Sequence, residues 1–471
     1  MEITETELHD IVADVVREVI SRQALAAPHG GGDGGVFDDM NDAVQAAHEA
    51  FLQYRGRSIQ CKRRITDAVR QMTIDHAEEL ARETVAETGM GRVDHKIAKL
   101  LNAAHHSPGV EFLQPRAWSG KNGLALDEYA PFGVIGNITP STHPAPTMIN
   151  NIIIQLAGGN TVAFNPHPSA KRVNAKVIRL ANQYMVKAEA PPNLVTCVAE
   201  PTLETAKTLF GHPLVQLLSV TGGPAVVDLA MTYPKKVIAA GPGNPPVLVD
   251  ETADCALAAR EITMSASYDN NVLCIAEKEI FVVASVFEPF MHAMEDVGNY
   301  RLSAAQMDRL ANETMTLSGK HWIVGKEYVG KSATVLGNML GLSVPADVPL
   351  LFGETGREHP WVVAEQMTCC IPVVRVQDFE DGLAAALKAE HGFRHTAGIF
   401  TKDITRATTF TRAMDCDIQT INGGTLRGDG GDLGEGYFSH TVATPTGEGI
   451  CTPLDFVRKR RIMTHGALRF V

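Results

Sequence analysis

From residue 131 onward the chain alternates short apolar runs with helical stretches, and this alternation limits the folds available to it. The apolar runs are rich in β-branched residues and end at Gly, Pro, Asn or Asp. They predict strands in PFGVIGNITP (131–140), NTVAFNP (160–166), NLVTCVAE (193–200), VQLLSVTGG (215–223), KKVIAAGPG (235–243) and PPVLVD (245–250). Residues 37 to about 115 precede them and favour helices. Strands alternating with helices imply a doubly wound parallel sheet, which binds nucleotides at the carboxyl ends of its strands.

Composition narrows the classes of function. The 471 residues suffice for two or three domains, and the net charge of −12 leaves no basic face for a nucleic acid. The chain contains no apolar run of about 18 residues that would span a membrane. Its eight cysteines are dispersed, with no CxxC pair or zinc-type spacing, which favours free thiols in a reducing compartment. We therefore expect no metal site and neither a nucleic-acid nor a membrane partner.

The first 36 residues differ from the rest of the chain. Residues 1–22 place apolar side chains at helical spacing and predict an amphipathic helix whose polar face is mostly acidic. Residues 23–36 include the run ALAAPHGGGDGG and predict a flexible linker. The apolar face needs a partner, either the body or oligomer of this protein or a separate docking protein. The acidic polar face argues against a membrane-surface helix of the basic kind.

One cysteine lies on a stretch suited to catalysis. A polar, turn-prone run, DNN (269–271), leads into Cys274, and a strand-like segment at 280–283 follows it. A thiol on a loop between rigid elements is where covalent catalysis places a nucleophile. The alternative is a buried cysteine that packs as a small hydrophobic residue. The local sequence leaves both interpretations open.

Several segments, taken in order, resemble the aldehyde dehydrogenase superfamily from about residue 37 to the C-terminus. They are PFGVIGNITP (131–140), GNTVAFNP (159–166), SVTGG (219–223), GNPP (243–246), the Cys274 loop and EQM (365–367). Others are similar to its CoA-acylating branch, which includes propionaldehyde and acetaldehyde dehydrogenases of bacterial microcompartments. These are STHPAPT (141–147), NPHPSAK (165–171), DNNVLC (269–274) and GEGYFSHTVATPTGEG (434–449). Their order and spacing make the resemblance specific.

The resemblance implies an α/β fold with two doubly wound Rossmann-type domains and a small β oligomerisation extension. The implied units are an NAD- and CoA-binding domain at 37–245, an extension including 116–131, a catalytic domain at 246–440 and a C-terminal return with an oligomerisation strand at 441–471. The run GALRFV (466–471) is the candidate for that strand. A homo-oligomer, either a dimer or a tetramer, is expected.

The resemblance also implies catalytic roles. Cys274 is the nucleophile that forms a thiohemiacetal and then a thioester with the aldehyde, and Thr142 stands where hydrolytic relatives have an oxyanion donor. His143 departs from the Ser-Thr-Asn-Pro pattern of the branch, and it donates to the oxyanion, contacts CoA or packs. Ala240 replaces the glutamate that activates water in hydrolytic relatives. Its absence favours CoA over water as the acyl acceptor.

For the cofactor, the resemblance implies NAD at the carboxyl ends of the first sheet and CoA in largely the same cleft. Glu365 matches the carboxylate that holds the nicotinamide ribose. The other implied cofactor residues are Ile138, Thr139, Pro140, Asn165, Pro166, His167, Pro168, Thr221, Gly222 and Gly223. The loop at 426–436 is expected to be a mobile surface loop that lines the mouth of the active site, and His391, His395 and His440 are expected to be structural.

The expected activity is the NAD-dependent oxidation of a short-chain aldehyde to its acyl-CoA, with propionaldehyde favoured over acetaldehyde. The expected location is a bacterial microcompartment within the cytoplasm, where residues 1–22 act as an encapsulation helix that docks on a shell protein. Alternatives are a hydrolytic aldehyde dehydrogenase, a phosphate-dependent semialdehyde dehydrogenase, and a non-catalytic cargo or scaffold protein. Ala240 argues against the first of these, and the intact Cys274 loop with Glu365 argues against the last.

Overall fold

The computed structural model describes residues 32–319 and 321–468. The predicted encapsulation helix at 1–22 and most of the predicted linker lie outside these residues. The described part combines helices with two large parallel sheets, so the predicted α/β class is confirmed. Within the same ranges, every helix is too short or too polar to cross a membrane.

Fourteen α-helices lie in the described residues. They are α1 (Met40–Tyr54), α2 (Ile59–Thr88), α3 (Val93–His106), α4 (Pro144–Ala157), α5 (Lys171–Lys187), α6 (Leu203–Gly211), α7 (Pro224–Met231), α8 (Cys255–Ala266), α9 (Phe287–Asp296), α10 (Ala304–Thr314), α11 (Ala333–Met339), α12 (Pro360–Val363), α13 (Phe379–Ala389) and α14 (Ile404–Met414). The longest, α2, begins where the Ser58 side chain accepts a hydrogen bond from the Cys61 N–H. It ends at Gly89, whose φ of 69° is left-handed and favours a residue without a Cβ.

The described residues also form twenty strands. They are β1 (Val36–Phe37), β2 (Arg116–Gly120), β3 (Gly123–Pro131), β4 (Val134–Thr139), β5 (Thr161–Pro166), β6 (Val195–Val198), β7 (Val215–Thr221), β8 (Lys236–Ala240), β9 (Pro246–Val249), β10 (Glu279–Val283), β11 (Tyr300–Leu302), β12 (Met315–Ser318), β13 (His321–Val324), β14 (Leu351–Glu354), β15 (Cys370–Val376), β16 (Thr396–Phe400), β17 (Ile418–Ile421), β18 (Val442–Ala443), β19 (Gly449–Ile450) and β20 (Val457–His465). Every run predicted from the alternation contains one of them, β4 to β9.

Two parallel sheets organise the molecule. The first has the strand order β1-β6-β5-β4-β7-β8, and the second has the order β11-β14-β15-β10-β9-β16-β17. All neighbouring strands in both sheets are parallel. The chain crosses from the first sheet to the second between β8 and β9, at residues 241–245. The carboxyl end of β8 therefore lies beside the segment that connects the two sheets.

A separate antiparallel sheet joins β2, β3 and β20. β20 pairs with the whole of β3, from Val457 opposite Pro131 to His465 opposite Gly123. The prediction of a strand at 466–471 is wrong for its described residues, because β20 ends at His465 and Gly466 turns the chain with a φ of 71°. The strand lies instead in the preceding basic run, whose exposed arginines face acidic residues of β3.

Helix α4 brings the predicted catalytic segment to the core of the first sheet. All of its residues are buried, and it packs between α2, α3 and α5. His143 is its N-cap residue but makes no side-chain capping bond. Thr142 and His143 therefore lie at the positive end of a buried helix dipole, where a developing negative charge is stabilised.

Candidate active site

Three neighbouring strands of the first sheet end at one cavity. β4 ends at Thr139, β5 at Pro166 and β7 at Thr221, as expected for a nucleotide site in a doubly wound fold. The cavity has a volume of ≈ 380 Å³. Its lining includes ten of the residues predicted to contact the cofactor, Ile138, Thr139, Pro140, Asn165, Pro166, His167, Pro168, Thr221, Gly222 and Gly223.

Polar groups at these strand ends suit a bound dinucleotide. Thr139 Oγ1 and Thr221 Oγ1 are buried and have no hydrogen-bond partner among the described residues. Buried hydroxyl groups are normally paired, so a ligand that enters the cavity can supply the missing partner. Asn165 is already engaged, because its Oδ1 accepts from Thr205 Oγ1 at 2.5 Å. The site fits a nicotinamide dinucleotide, with Asn165 held against the first turn of α6.

A second cavity, of ≈ 250 Å³, continues from the first, and Cys274 is one of its lining residues. The residues that line both cavities include Pro140, His167, Thr221, Gly222 and Gly223. The second cavity is also lined by the remaining predicted site residues, Thr142, His143, Cys274 and Glu365. Every residue predicted for the site therefore lines one continuous cleft.

The loop that leads to Cys274 has an unusual backbone. Its residues 269–271 have φ values of 52°, 55° and 63°, a left-handed run that residues other than glycine rarely adopt. Asp269 anchors this run: its Oδ2 accepts from Lys96 Nζ at 2.9 Å and from Lys99 Nζ at 2.6 Å. Lys99 Nζ also donates to the Val272 carbonyl at 3.0 Å. Two lysines of α3 thus hold a strained backbone in place, and the cost of the strain is offset by buried ionic bonds.

A third lysine holds the loop from its other side. Lys278 is fully buried, and its ammonium group donates to Asn271 Oδ1 at 2.7 Å, to the Leu273 carbonyl at 2.7 Å and to the Ala276 carbonyl at 3.0 Å. Among the described residues, no carboxylate lies within ion-pair distance of it. A buried cation bound only by neutral oxygens retains an attraction for any nearby anion.

The protonation states of the cavity follow from burial. Burial raises the pKa of the Cys274 thiol to about 12, with a further increase from Glu365 and an opposing effect of Lys278. Burial also raises the pKa of Glu365 to about 7, against the effects of Lys278 and of a hydrogen bond from the Gly243 N–H. Before substrate binds, the thiol is therefore protonated, and Glu365 is the group nearest to titration at neutral pH. The nucleophile needs a proton acceptor when it reacts.

His143, a predicted site residue, and His440 are buried polar side chains in contact with each other, and neither His440 nor Asp429 was predicted for the site. The ring of His143 stacks on the ring of His440, with centroids 5.0 Å apart. His143 Nδ1 and His440 Nε2 are both buried without a partner among the described residues. Asp429 is only 4% exposed, and its carboxyl group is close enough to Cys274 and Lys99 to influence the pKa values of both.

Part of the loop at 426–436 and two of the histidines expected to be structural are buried. The loop forms short 3₁₀ helices and buries Leu426 and Asp429, although none of its residues lines either cavity. His440 stacks on the cavity residue His143. His395 is also buried beside the cleft, with its Nε2 unpartnered and a Gly243 backbone that approaches its ring. No sequence motif indicates that these residues lie near the site, because they come from distant parts of the chain.

No carboxylate occupies the place of the missing water-activating glutamate. Ala240, Gly241 and Pro242 line this side of the cavity, and among all its lining residues Glu365 is the only acid. Away from the cleft, one surface group of potential metal ligands occurs in the described residues, and it consists of His105, His106 and Asp432. It has no connection to the cysteine chemistry.

Comparison with known proteins agrees with this geometry. The sequence model of the aldehyde dehydrogenase family matches residues 33–432 of this chain. This chain belongs to the aldehyde dehydrogenase family. It is 44% identical over 441 residues to the acetaldehyde dehydrogenase (acetylating) EutE of Salmonella typhimurium, covering 93% of this chain and 94% of the relative. It is 40% identical over 454 residues to the propanal dehydrogenase (CoA-propanoylating) of Citrobacter freundii, covering 96% of this chain and 97% of the relative.

Solved aldehyde dehydrogenase structures share the fold over nearly the whole chain. A propionaldehyde dehydrogenase from the Clostridium phytofermentans fucose utilisation bacterial microcompartment superposes with a TM-score of 0.90 at 41% identity, covering 93% of this chain and 100% of that structure. A Rhodopseudomonas palustris propionaldehyde dehydrogenase with bound CoA and an acylated cysteine gives the same TM-score at 40% identity, with coverages of 93% and 100%. The predicted family and its fold are confirmed.

Proposed function

We propose that this protein is a CoA-acylating aldehyde dehydrogenase that uses NAD to convert a short-chain aldehyde to its acyl-CoA. The balanced reaction takes aldehyde, CoA thiol and NAD⁺ to acyl-CoA, NADH and a proton. The observation that carries the proposal is the position of Cys274, which opens onto a cavity continuous with a nucleotide-sized cavity at the strand ends. Relatives at 40% identity and above are named for CoA-acylating activities.

The nucleophile is Cys274. Its sulfur attacks the aldehyde carbon while the thiol proton passes to an acceptor, for which the candidate is Glu365, the one acid that lines this cavity, with a pKa of about 7. The buried ammonium group of Lys278 stabilises the thiolate and holds the backbone on both sides of it. The alkoxide that forms is placed to accept from the Cys274 N–H and from Thr142 at the N-terminal end of α4, each donor lowering the barrier by about 3–4 kcal/mol.

NAD supplies a hydride acceptor when it is bound in the cleft. The strand-end residues from 138–140, 165–168 and 221–223 hold and orient it, and the orphaned hydroxyls of Thr139 and Thr221 are its hydrogen-bonding groups. Glu365 lines the second cavity, which continues from the first, and a ribose of the cofactor would reach it there. We assign Glu365 this ribose-binding role as well. The protonation of its carboxyl group and its contact with the ribose therefore affect each other.

The acyl group then passes from Cys274 to CoA rather than to water. Ala240 offers no base to activate a water molecule, and general-base catalysis contributes about 10²–10⁴-fold to such a step. A thiol acceptor exchanges one thioester for another and depends less on that base. A structure of a relative with bound CoA and an acylated cysteine supports the same order of events.

Propionaldehyde is the favoured substrate, with acetaldehyde as the second candidate. Relatives of both names cover nearly the whole chain, at 40% and 44% identity. One methylene group in a pocket changes binding by only about 1–3 kcal/mol, so the two aldehydes differ in rate rather than in mechanism.

Residues 1–22 are proposed to direct the protein into a bacterial microcompartment by docking on a shell protein. Their amphipathic pattern and the linker at 23–36 support this role, and one similar structure comes from a microcompartment enzyme. Deleting residues 1–22 should leave soluble activity intact and abolish co-purification with the shells. Unchanged encapsulation would refute the docking role.

The antiparallel sheet is proposed to pair subunits in a homo-oligomer, a dimer or a tetramer. Its strands expose apolar side chains, with Trp118 48%, Ile462 47% and Met463 62% exposed. Exposed apolar groups on one small sheet are typical of an interaction surface.

The decisive experiment measures NADH formation from propionaldehyde with and without CoA. The proposal expects sustained turnover only with CoA, and a burst of about one NADH per active site without it, leaving Cys274 with the mass of a propionyl group. Sustained acid production without CoA would show a hydrolytic enzyme instead, and the absence of any NADH with either aldehyde would reject the enzymatic function.

A further inference from the structure

A cavity of ≈ 590 Å³ lies at the opposite end of the first sheet from the cofactor cleft. Its lining includes Phe132, just before β4, Val215 at the start of β7 and Lys236 at the start of β8. The other end of β8 is Ala240, which lines the active-site cavity, and a strand of 5 residues spans about 13 Å between its first and last Cα atoms. The cavity is therefore separate from the cleft, and its volume suits a small-molecule ligand.

Three cationic side chains line this cavity without an acid. They are Lys235, Lys236 and Arg458, and no Asp or Glu is among the described lining residues. Lys235 and Arg458 have no described carboxylate within ion-pair distance, and Lys236 Nζ lies 3.9 Å from Glu448 Oε1, which is long for an ion pair. In a chain with a net charge of −12, this concentration of unneutralised positive charge is an exception.

Backbone carbonyl groups hold the three cations at the cavity. Each cation donates to one carbonyl oxygen, Lys235 Nζ to His212 at 2.6 Å, Lys236 Nζ to Asp455 at 3.0 Å and Arg458 Nε to Pro131 at 3.3 Å. A neutral carbonyl fixes the position of a cation without cancelling its charge. Burial lowers the pKa of Lys235, and no described carboxylate opposes this effect. An anion that enters the cavity would therefore stabilise the charged form of Lys235.

The other arginines of β20 show how a cation on this strand is usually neutralised. Arg460 and Arg461 stand opposite Glu128 and Asp127 of β3 and form ion pairs with them. Arg458 stands opposite Ala130, so the same strand offers it no acid. Only its Nε has a hydrogen-bond partner among the described residues, and its guanidinium group lines the cavity.

We propose that this cavity binds a diphosphate group, either as the free inorganic anion or as part of a nucleotide. A diphosphate carries about three negative charges at neutral pH and so matches three cations better than a carboxylate does. Arg458 offers its terminal nitrogens for a bidentate contact with one phosphate, and Lys235 and Lys236 supply charge to the other. Phe132 and Pro234 also line the cavity and provide an apolar surface for a base or sugar.

The test is isothermal titration of the full chain with inorganic diphosphate, in the presence of enough NAD to fill the cofactor cleft. We expect one diphosphate to bind per chain, and the dissociation constant to rise at least about tenfold in Arg458→Gln and in Lys236→Gln. The matched control is Lys388→Gln, which removes one positive charge from an exposed lysine of α13 that does not line the cavity. It should change the dissociation constant by less than about twofold.

Circular dichroism of each variant checks that the fold is intact, and Lys236→Gln decides the test if Arg458→Gln fails to fold. The same titration with ADP distinguishes the two sources of the diphosphate group. Tighter binding of ADP, with the same loss in the variants, assigns a nucleotide, and tighter binding of inorganic diphosphate assigns the free anion. The inference is wrong if the wild type binds neither ligand or binds both no better than the cavity variants do. It is equally wrong if Lys388→Gln weakens binding as much as they do, because the anion would then respond only to net charge.

Discussion

The two walls of the catalytic cleft differ in the charge of their side chains. The nucleotide wall, formed by 138–140, 165–168, 202–203, 206 and 221–226, contains no Asp, Glu, Lys or Arg. The charged wall behind Cys274 contains four fully or almost fully buried ionisable side chains, Lys96, Lys99, Asp269 and Lys278, whereas burial raises the pKa of the nearby Asp429 to about 8 and leaves that carboxyl group largely neutral. The cleft therefore combines a neutral surface at the strand ends with a fixed field around Cys274.

The two walls differ in how a substitution affects the free energy of unfolding. Burying ions is costly, and the cost is recovered only when partners are held in good geometry. The charged wall keeps this geometry through α3 and the loop at 269–278, so a change there alters stability and chemistry together. The nucleotide wall depends on shape and backbone, so a change there alters binding alone. The predictions below test this separation.

Cys274→Ala should give the largest effect on activity. Removing the nucleophile should lower aldehyde oxidation by at least about 10⁴-fold, since no other group can form the thioester. The free energy of unfolding should change by less than about 1 kcal/mol, because a single sulfur atom at the edge of a cavity is lost. Steady-state NADH formation and urea unfolding measure the two quantities, and retained turnover would exclude Cys274 as the nucleophile.

Asp269→Asn should give the largest effect on stability. The variant leaves Lys96 and Lys99 buried without their carboxylate, and breaking such a pair costs about 3–5 kcal/mol. Urea unfolding at neutral pH measures the loss. The control is Glu358→Gln, which removes the exposed partner of Lys388 and should cost under about 1 kcal/mol. Equal losses in the two variants would show that burial adds nothing to the ion pairs of Asp269.

The pH dependence of the stability of Asp269→Asn tests whether the stabilisation by Asp269 is ionic. Burial tends to raise the pKa of Asp269, but the ammonium groups of Lys99 and Lys96 outweigh it and hold that pKa below the usual value of 3.8. A lowered pKa in the folded state means that the stabilisation is present above the unfolded-state pKa, near 4, and is lost as the pH falls below it. The stability gap between wild type and Asp269→Asn should therefore narrow in acid, and a gap that is constant with pH would contradict the ionic account.

The contrast between the walls also explains what the sequence could predict. The nucleotide wall is built from strand ends, and each end is contiguous with a recognisable motif, so the sequence predicts that residues such as Thr139 and Thr221 lie together, and both line the first cavity. The charged wall joins Lys99 to Asp269 across 170 residues and depends on three left-handed residues in sequence. No local periodicity reports such a contact, and Asp429 and Lys278 look like ordinary surface charges in the sequence.

Lys278→Met should shift the chemistry of the thiol. Lys278 opposes the increase that burial and Glu365 cause in the pKa of Cys274, so its removal should raise that pKa further. Alkylation of Cys274 by iodoacetamide at a fixed pH near 8 should slow about tenfold for each unit of increase. Lys388→Met, which removes an exposed lysine, is the control. An unchanged pH profile of alkylation would show that Lys278 acts only through packing.

Leu203→Ala should give the smallest effect and the cleanest contrast. Leu203 lines the nucleotide wall and is 56% exposed, so truncating it removes apolar contact from a ligand without opening the core. A loss of about 1 kcal/mol of binding raises KM roughly fivefold, and because NAD and CoA are proposed to share the cleft, both KM values should rise together. Initial rates with each ligand varied in turn measure this, and urea unfolding should show a change within about 0.5 kcal/mol. An increase in one KM alone would mean that the two ligands use different surfaces, and the neutral wall would then serve only one of them.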